Sequence, residues 1–413
     1  MTRETKIGIP PELKVMILSA FVIAIGFGIV APILPQYASD FGVSAMAVSA
    51  VVSAFGLFRL LFAPASGKLT QWLGETPVYV IGLLIVAASM IATAFAPTYE
   101  LLLIFRALGG IGSTFFTVSA MTFLARKSPP TIRGRVSGAY ASAFLIGNVA
   151  GPLVGSGLLV FGQRVPFLVY GGALVVAAAI VFVMLRQSRL EDRGRKEDRE
   201  KATLAEAWQH RGYRAALTAG FANGWATFGL RNSIVPLFAA TAFVGSGWVL
   251  DSSQLAGVAL ATFAAGNVAA VMIFSRRSDR FGRRRPIIIG LVISALATGL
   301  LGLAPNPLML LVLSVIAGAG TGLMNPAQQA AIADIVGSGR NGGSVVSTFQ
   351  MTQDLGSIIG PLLAGFLVDQ LGYSWAFGIT GVILMIGALA WTRAPETLEP
   401  AGEPADPETV PKS

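Results

Sequence analysis

The chain has 413 residues, of which 54% are hydrophobic and only 12% charged, with a mean hydropathy of +0.69; these proportions exclude a soluble globule and describe a polytopic membrane protein. A net charge of +9 would suit nucleic acid if the basic residues clustered, but they gather at alternate ends of the apolar runs, which is the positive-inside pattern. Cysteine is absent, which removes disulfides and thiol-liganded metals.

The first apolar run, about Val15 to Pro35, is too long for a signal-peptide core and has no small-residue cleavage site, so it is expected to remain as span 1. Span 2 is expected from about Ala45 to Ser66, span 3 from Val78 to Ala96 and span 4 from Leu101 to Leu124. After a basic loop from Arg126 to Arg135 come span 5, Ser137 to Phe161, and span 6, Pro166 to Arg186. A polar segment from Gln187 to Tyr213 mixes charges of both signs, and Thr203 with Glu206 forms a capping box ahead of an amphipathic helix. This segment reads as a cytoplasmic linker; a headgroup or partner site is the sharper alternative. Spans 7 to 12 follow at about Arg214 to Ala240, Ser253 to Phe274, Pro286 to Ala304, Leu308 to Ile335, Ser344 to Val368 and Trp375 to Arg393. The expected organisation is a six-helix bundle over 1–186, a linker over 187–213, a second bundle over 214–395 and a disordered tail over 396–413. An even number of spans returns both termini to the cytoplasm.

Inside span 5, GNVAGPLVGSGL places Gly147, Gly151 and Gly155 on one helical stripe, interrupted by Pro152, where a bend is tolerated if the freed carbonyl finds a partner. The stretch reads as a hinge; a generic small-residue packing stripe is the plainer alternative. Half a chain later GSIIGPLLAGFL repeats the pattern, with Gly356, Gly360 and Pro361 in the equivalent places. GFGIVAPILP in span 1 and GLRNSIVP in span 7 repeat likewise, which points to a duplicated bundle.

These motifs resemble the major facilitator superfamily. Its proton-coupled antiporters carry gxxxGPxxGG in the fifth helix, matched here except at Ser156, and R-x-x-q-G-x-G in the fourth, where Arg106 precedes GGIG. The loop motif G-x-L-A-D-R-x-G-R-R is degenerate in the first half, GKLTQWLGET, yet the second half, SRRSDRFGRR, keeps Asp279, Arg280, Gly282, Arg283 and Arg284. The resemblance implies an all-α membrane protein of twelve transmembrane helices in two pseudo-symmetric six-helix bundles. Spans 1, 4, 7 and 10 would line a cavity, and spans 2, 5, 8 and 11 would meet at the seam. It further implies a cytoplasmic gate in which Asp279 lies against the start of span 5 near Val136 to Gly138, and Arg280 or Arg283 reaches Asp334.

Four charges fall well inside apolar runs, where each costs roughly 2.5 to 3.5 kcal/mol on insertion scales: Arg59, Arg106, Arg231 and Asp354. Asp40, Glu100, Asp251 and Asp369 sit at expected outer loops and Asp334 at an inner end, where capping or surface pairing accounts for them. On the family's fold Arg106 and Arg231 would face the cavity, with Asn223, Trp225 and Phe228 of span 7 and Asn325, Gln328 and Gln329 of span 10; ordinary packing is the competing reading for each. Asp354 and Arg59 would pair across the seam, either as a proton-coupling switch or as a fixed structural bridge.

The function expected from the resemblance is a proton-coupled antiporter exporting amphiphilic small molecules of multidrug type from the plasma membrane, as a monomer, with protons and the bilayer as its other partners. Because span 1 has no acid, an anionic, zwitterionic or neutral amphiphile fits better than a dication. The alternatives are an exporter or flippase of an anionic metabolite or lipid, and a proton-coupled uptake symporter. An enzyme is not expected: the lone His210 lies in the linker, and no H-E-x-x-H, Walker A run or cysteine is present, so neither a metal nor another cofactor is implied.

Overall fold

With no water in the hydrocarbon to satisfy N–H and C=O groups, each apolar run must close its own backbone hydrogen bonds and becomes a helix. A computed structural model describes residues 9–128, 133–185, 203–243, 252–337 and 343–398; most of the expected linker and tail lie outside them, and so do the side chains of Phe228, Asp279 and Arg280. Among the described residues, eleven helices are long and apolar enough to cross a membrane. The first half comprises α1 (Pro11–Val30), short α2 (Leu34–Ser39), α3 (Ala45–Leu73), α4 (Glu75–Ala94), α5 (Tyr99–Lys127), α6 (Arg133–Leu158) and α7 (Val165–Leu185). After α8 (Leu204–Gln209), the second half comprises α9 (Arg211–Asn223), α10 (Arg231–Ala242), α11 (Ser252–Phe281), α12 (Arg284–Leu301), α13 (Pro307–Val336), α14 (Gly343–Leu371) and α15 (Tyr373–Thr392). The end of the molecule that carries α8 is called the linker end, and the opposite one the far end.

Two expectations need correction. Span 2 does not stop at Ser66: α3 runs on to Leu73 and turns only at Gly74, whose φ of 86° few other residues adopt. The degenerate GKLTQWL is a serviceable helix sequence with nothing to break it. The second-half counterpart behaves alike, since α11 continues to Phe281 and turns at Gly282 with φ 90°. Span 7 is not one regular helix: between α9 and α10 the chain passes through a π-helical segment, Gly224–Leu230, a geometry that concentrates at functional sites.

The glycine stripes explain how each half is assembled. A Cβ on Gly147 would lie 2.6 Å from the Ala24 Cβ, and one on Gly151 2.6 Å from the Gly28 Cα, so α6 and α1 touch backbone to backbone. In the second half a Cβ on Gly360 would lie 2.9 Å from the Trp225 Cα, so α14 meets the π-segment in the same manner. The prolines repeat too: Pro152 packs on Gly28, and Pro361 on Gly229. The stripe therefore seats spans 1 and 7 within their own halves, rather than facing the seam.

The seam between halves closes at the far end. Asp369 of α14 caps α3 across it, its two oxygens accepting from Ala45 N at 2.8 Å and Met46 N at 2.9 Å. Farther in, Ser53 Oγ donates to Ile358 O at 2.7 Å, and a Cβ on Gly56 would lie 3.1 Å from Ile358. Beyond Gly56 and Ser357, toward the linker end, no hydrogen bond or ion pair joins the halves among the described residues.

Candidate transport site

Arg106 and Arg231 are 6% and 4% exposed, and neither has a carboxylate partner among the described residues. The Arg106 guanidinium lies over the Phe55 ring of α3, 4.7 Å from its centroid, with Nη1 3.8 Å from the Met90 sulfur of α4 and Nε unpartnered. Phe55 in turn packs on Phe27 of α1 at 6.3 Å. The Arg231 carbon lies 3.3 Å from the Phe263 centroid, and its Nε and Nη1 have no hydrogen-bond partner. Both arginines were expected to face the cavity, with ordinary packing as the competing reading; each is buried under an aromatic ring of the adjacent helix. Phe55 and Phe263 carried no motif by which the sequence could have singled them out.

Of the companions, Asn223 and Asn325 do meet. Asn223 Nδ2 donates to Asn325 Oδ1 at 3.1 Å while Asn223 Oδ1 accepts from Thr227 Oγ1 at 2.9 Å, which ties α9 to α13 at the start of the π-segment. Trp225 is turned away from this pair. It is 4% exposed and donates from Nε1 to Thr380 Oγ1 of α15 at 3.0 Å, because the close seat on Gly360 directs it toward the outer helices. Gln328 is likewise a tie rather than a lining residue, donating to Ala216 O at 2.8 Å and only 1% exposed. Gln329, one residue on, is exposed.

Arg59 and Asp354 do not pair. They stand one turn past Gly56 and Ser357, at the level where the seam parts, and Asp354 Oδ1 instead accepts from Gln350 Nε2 of its own helix at 3.4 Å. Both side chains are half-buried. Gln353, on the adjacent position of α14, is buried against Gly220 and Gly224.

At the linker end Arg283 Nε lies 3.4 Å from Asp334 Oδ2. Arg284 donates to the Trp391 and Thr392 carbonyls that end α15. The residues just after α15 belong to the same network, which the sequence did not indicate. Glu396 accepts from Arg283 N at 2.7 Å and Arg284 N at 3.2 Å, capping α12, and sits against Gly282 where a Cβ would collide with it. Burial works against its charge, but four backbone N–H donors prevail and hold the carboxyl below its ordinary range. On the other flank Thr203 Oγ1 accepts from Glu206 N at 3.3 Å, and His210 Nδ1 accepts from Gly212 N at 3.2 Å to start α9.

The family model described as Major Facilitator Superfamily matches residues 16–250 and 232–413. Multidrug resistance protein 1 of Bacillus subtilis is 26% identical over 390 residues, covering 94% of this chain and 97% of its own. Quinolone resistance protein NorA of Staphylococcus aureus is 24% identical over 361 residues, covering 87% and 90%. A bacterial homolog of the human lysosomal transporter Spinster, solved inward-facing and occupied, superposes with a TM-score of 0.76 at 17% identity over 93% of this chain and 97% of that one.

Proposed function

The chain belongs to the Major Facilitator Superfamily, and from that premise we propose that it exports amphiphilic small molecules in exchange for protons, by alternating access across the cytoplasmic membrane. Lys and Arg collect at the linker end, so that end is read as the cytoplasmic face, with both termini and the linker on it. The relatives named for multidrug and quinolone resistance favour the substrate class.

The observation that carries the reading is where the seam parts. It is sealed on the far side down to Gly56 and Ser357, and Asp354, a carboxylate well inside a span, stands at the boundary on the same level as Arg59 and unpaired with it among the described residues. Rocking the halves would bring Asp354 and Arg59 together and apart, taking up a proton in one state and releasing it in the other. The π-segment at Gly224–Leu230, beside the Asn223–Asn325 pair, provides a place for span 7 to flex as the halves move. Everted vesicles carrying a fluorescent pH probe test the proposal: cationic, neutral and anionic amphiphiles are added in turn, and release of lumenal protons on substrate addition is expected. Substrate movement with no proton movement would sink it.

A second reading, export or flipping of an anionic metabolite or lipid, draws on the two buried arginines, which have no carboxylate partner among the described residues. The same vesicles separate it by the charge of the substrate accepted, and separate uptake symport by the direction of proton flow.

A further inference from the structure

At the far end of the first half, away from the seam, the turn between α6 and α7 borders an open hollow of about 530 Å³. A 3-10 turn, Leu159–Phe161, and Gly162 with φ 111° swing the chain outward there, and Tyr37 and Phe41 close the opposite wall. Two opposite charges, Asp40 and Arg164, line the hollow together with Gln163. They do not neutralise each other: no ion pair or hydrogen bond joins them, and the Arg164 guanidinium lies 5.6 Å over the Phe95 ring instead.

A hollow with a carboxylate on one side and a guanidinium on the other is only half matched by a simple anion or a simple cation, and suits a ligand carrying both charges. Its depth narrows the choice. Span α7 begins at Val165 and α6 ends at Leu158, so the hollow sits where the apolar spans give way to headgroups. At that level Phe95, Val160 and Phe161 are 56%, 75% and 74% exposed, an apolar rim that solvent alone would not favour. We propose that this hollow binds the headgroup of an aminophospholipid, its ammonium on Asp40 and its phosphate on Arg164, with the acyl chains leaving past Val160 and Phe161. The guanidinium fork matches phosphate geometry, and a primary ammonium can donate hydrogen bonds to Asp40 where a trimethylated one cannot. The assignment is independent of the transport reading.

Native mass spectrometry of the full chain in detergent, titrated with phosphatidylethanolamine, phosphatidylcholine or phosphatidylglycerol, tests this. Phosphatidylethanolamine is expected to bind most tightly. Asp40→Asn should weaken it about twofold to fivefold while leaving phosphatidylglycerol unchanged or tighter, and Arg164→Gln should weaken both, the range expected for exposed charge pairs. Arg164→Lys, which keeps the charge, should stay closer to the wild-type affinity than Arg164→Gln. Both side chains are solvent-exposed, and unchanged melting temperatures check that the variants fold. Wild-type affinity for phosphatidylethanolamine in both charge-removing variants would overturn the proposal, as would equal binding of the three lipids, or soluble phosphoethanolamine binding as tightly as the whole lipid.

Discussion

Ser156 of α6 and Gly257 of α11 meet at the far end of the seam with no room for a methyl group between them: a Cβ on Gly257 would overlap the Ser156 hydroxyl and lie 2.8 Å from the Pro152 carbonyl oxygen. Ser156 is the position at which the fifth-span motif departs from glycine, and its hydroxyl is held back along the helix by a 2.9 Å hydrogen bond to that same carbonyl. The far-end seal therefore depends on Gly257 having no side chain.

Gly257→Val should destabilise this far-end-closed state relative to its alternative by about 1–3 kcal/mol, the usual cost of overpacking, and shift the population accordingly. The chain has no cysteine, so Gln329→Cys gives a clean labelling site on α13. Its reaction with a membrane-impermeant maleimide from the linker side should slow several-fold in the Gly257→Val background. Unchanged labelling would mean that the α6–α11 contact does not hold the state.

Glu396→Gln should destabilise the second half by about 1 kcal/mol or less at neutral pH, in keeping with a partly solvated helix cap. Because the carboxyl of Glu396 is held below its ordinary value in the folded protein, its contribution is complete above about pH 4.5 and fades as pH falls through the lowered folded-state value. Melting curves of variant and wild type should therefore converge under acid. A constant difference across that range would argue against the cap.

Arg231→Met and Arg106→Met remove buried charges that no carboxylate balances among the described residues. Each substitution is expected to raise the melting temperature, since a charge in a span costs roughly 2.5 to 3.5 kcal/mol, while lowering transport of anionic or zwitterionic amphiphiles at least tenfold. Preference for lipophilic cations, unaffected by either substitution, would show that the arginines do not select substrate.

Asp354→Asn should fold and bind substrate, lose uphill transport driven by a pH gradient and retain substrate exchange. Arg59→Gln should retain proton binding but release it poorly, so its uphill rate should become steeply dependent on external pH. A fixed structural bridge predicts instead that both variants lose thermal stability together and keep their coupling. Vesicle transport paired with melting curves distinguishes the two.

The sequence by itself determined the membrane class, the run of spans, the duplication and the family, because hydropathy over some twenty residues decides where a helix crosses and a repeated Gly-Pro pattern survives in plain text. The family's gate motif also pointed Arg280 or Arg283 at Asp334, and Arg283 is found there. The direction of Trp225, the rings over Arg106 and Arg231, the capping of α3 by Asp369 and the seat of Glu396 were decided only in three dimensions. So was the separation of Arg59 from Asp354, although their levels along α3 and α14 could be read from sequence. Within a span every face is apolar, so hydropathy does not say which face meets which neighbour. That choice is made by backbone-to-backbone contacts such as Gly151 on Gly28 and Gly360 on Trp225, which set helix rotation and register between residues far apart in the chain.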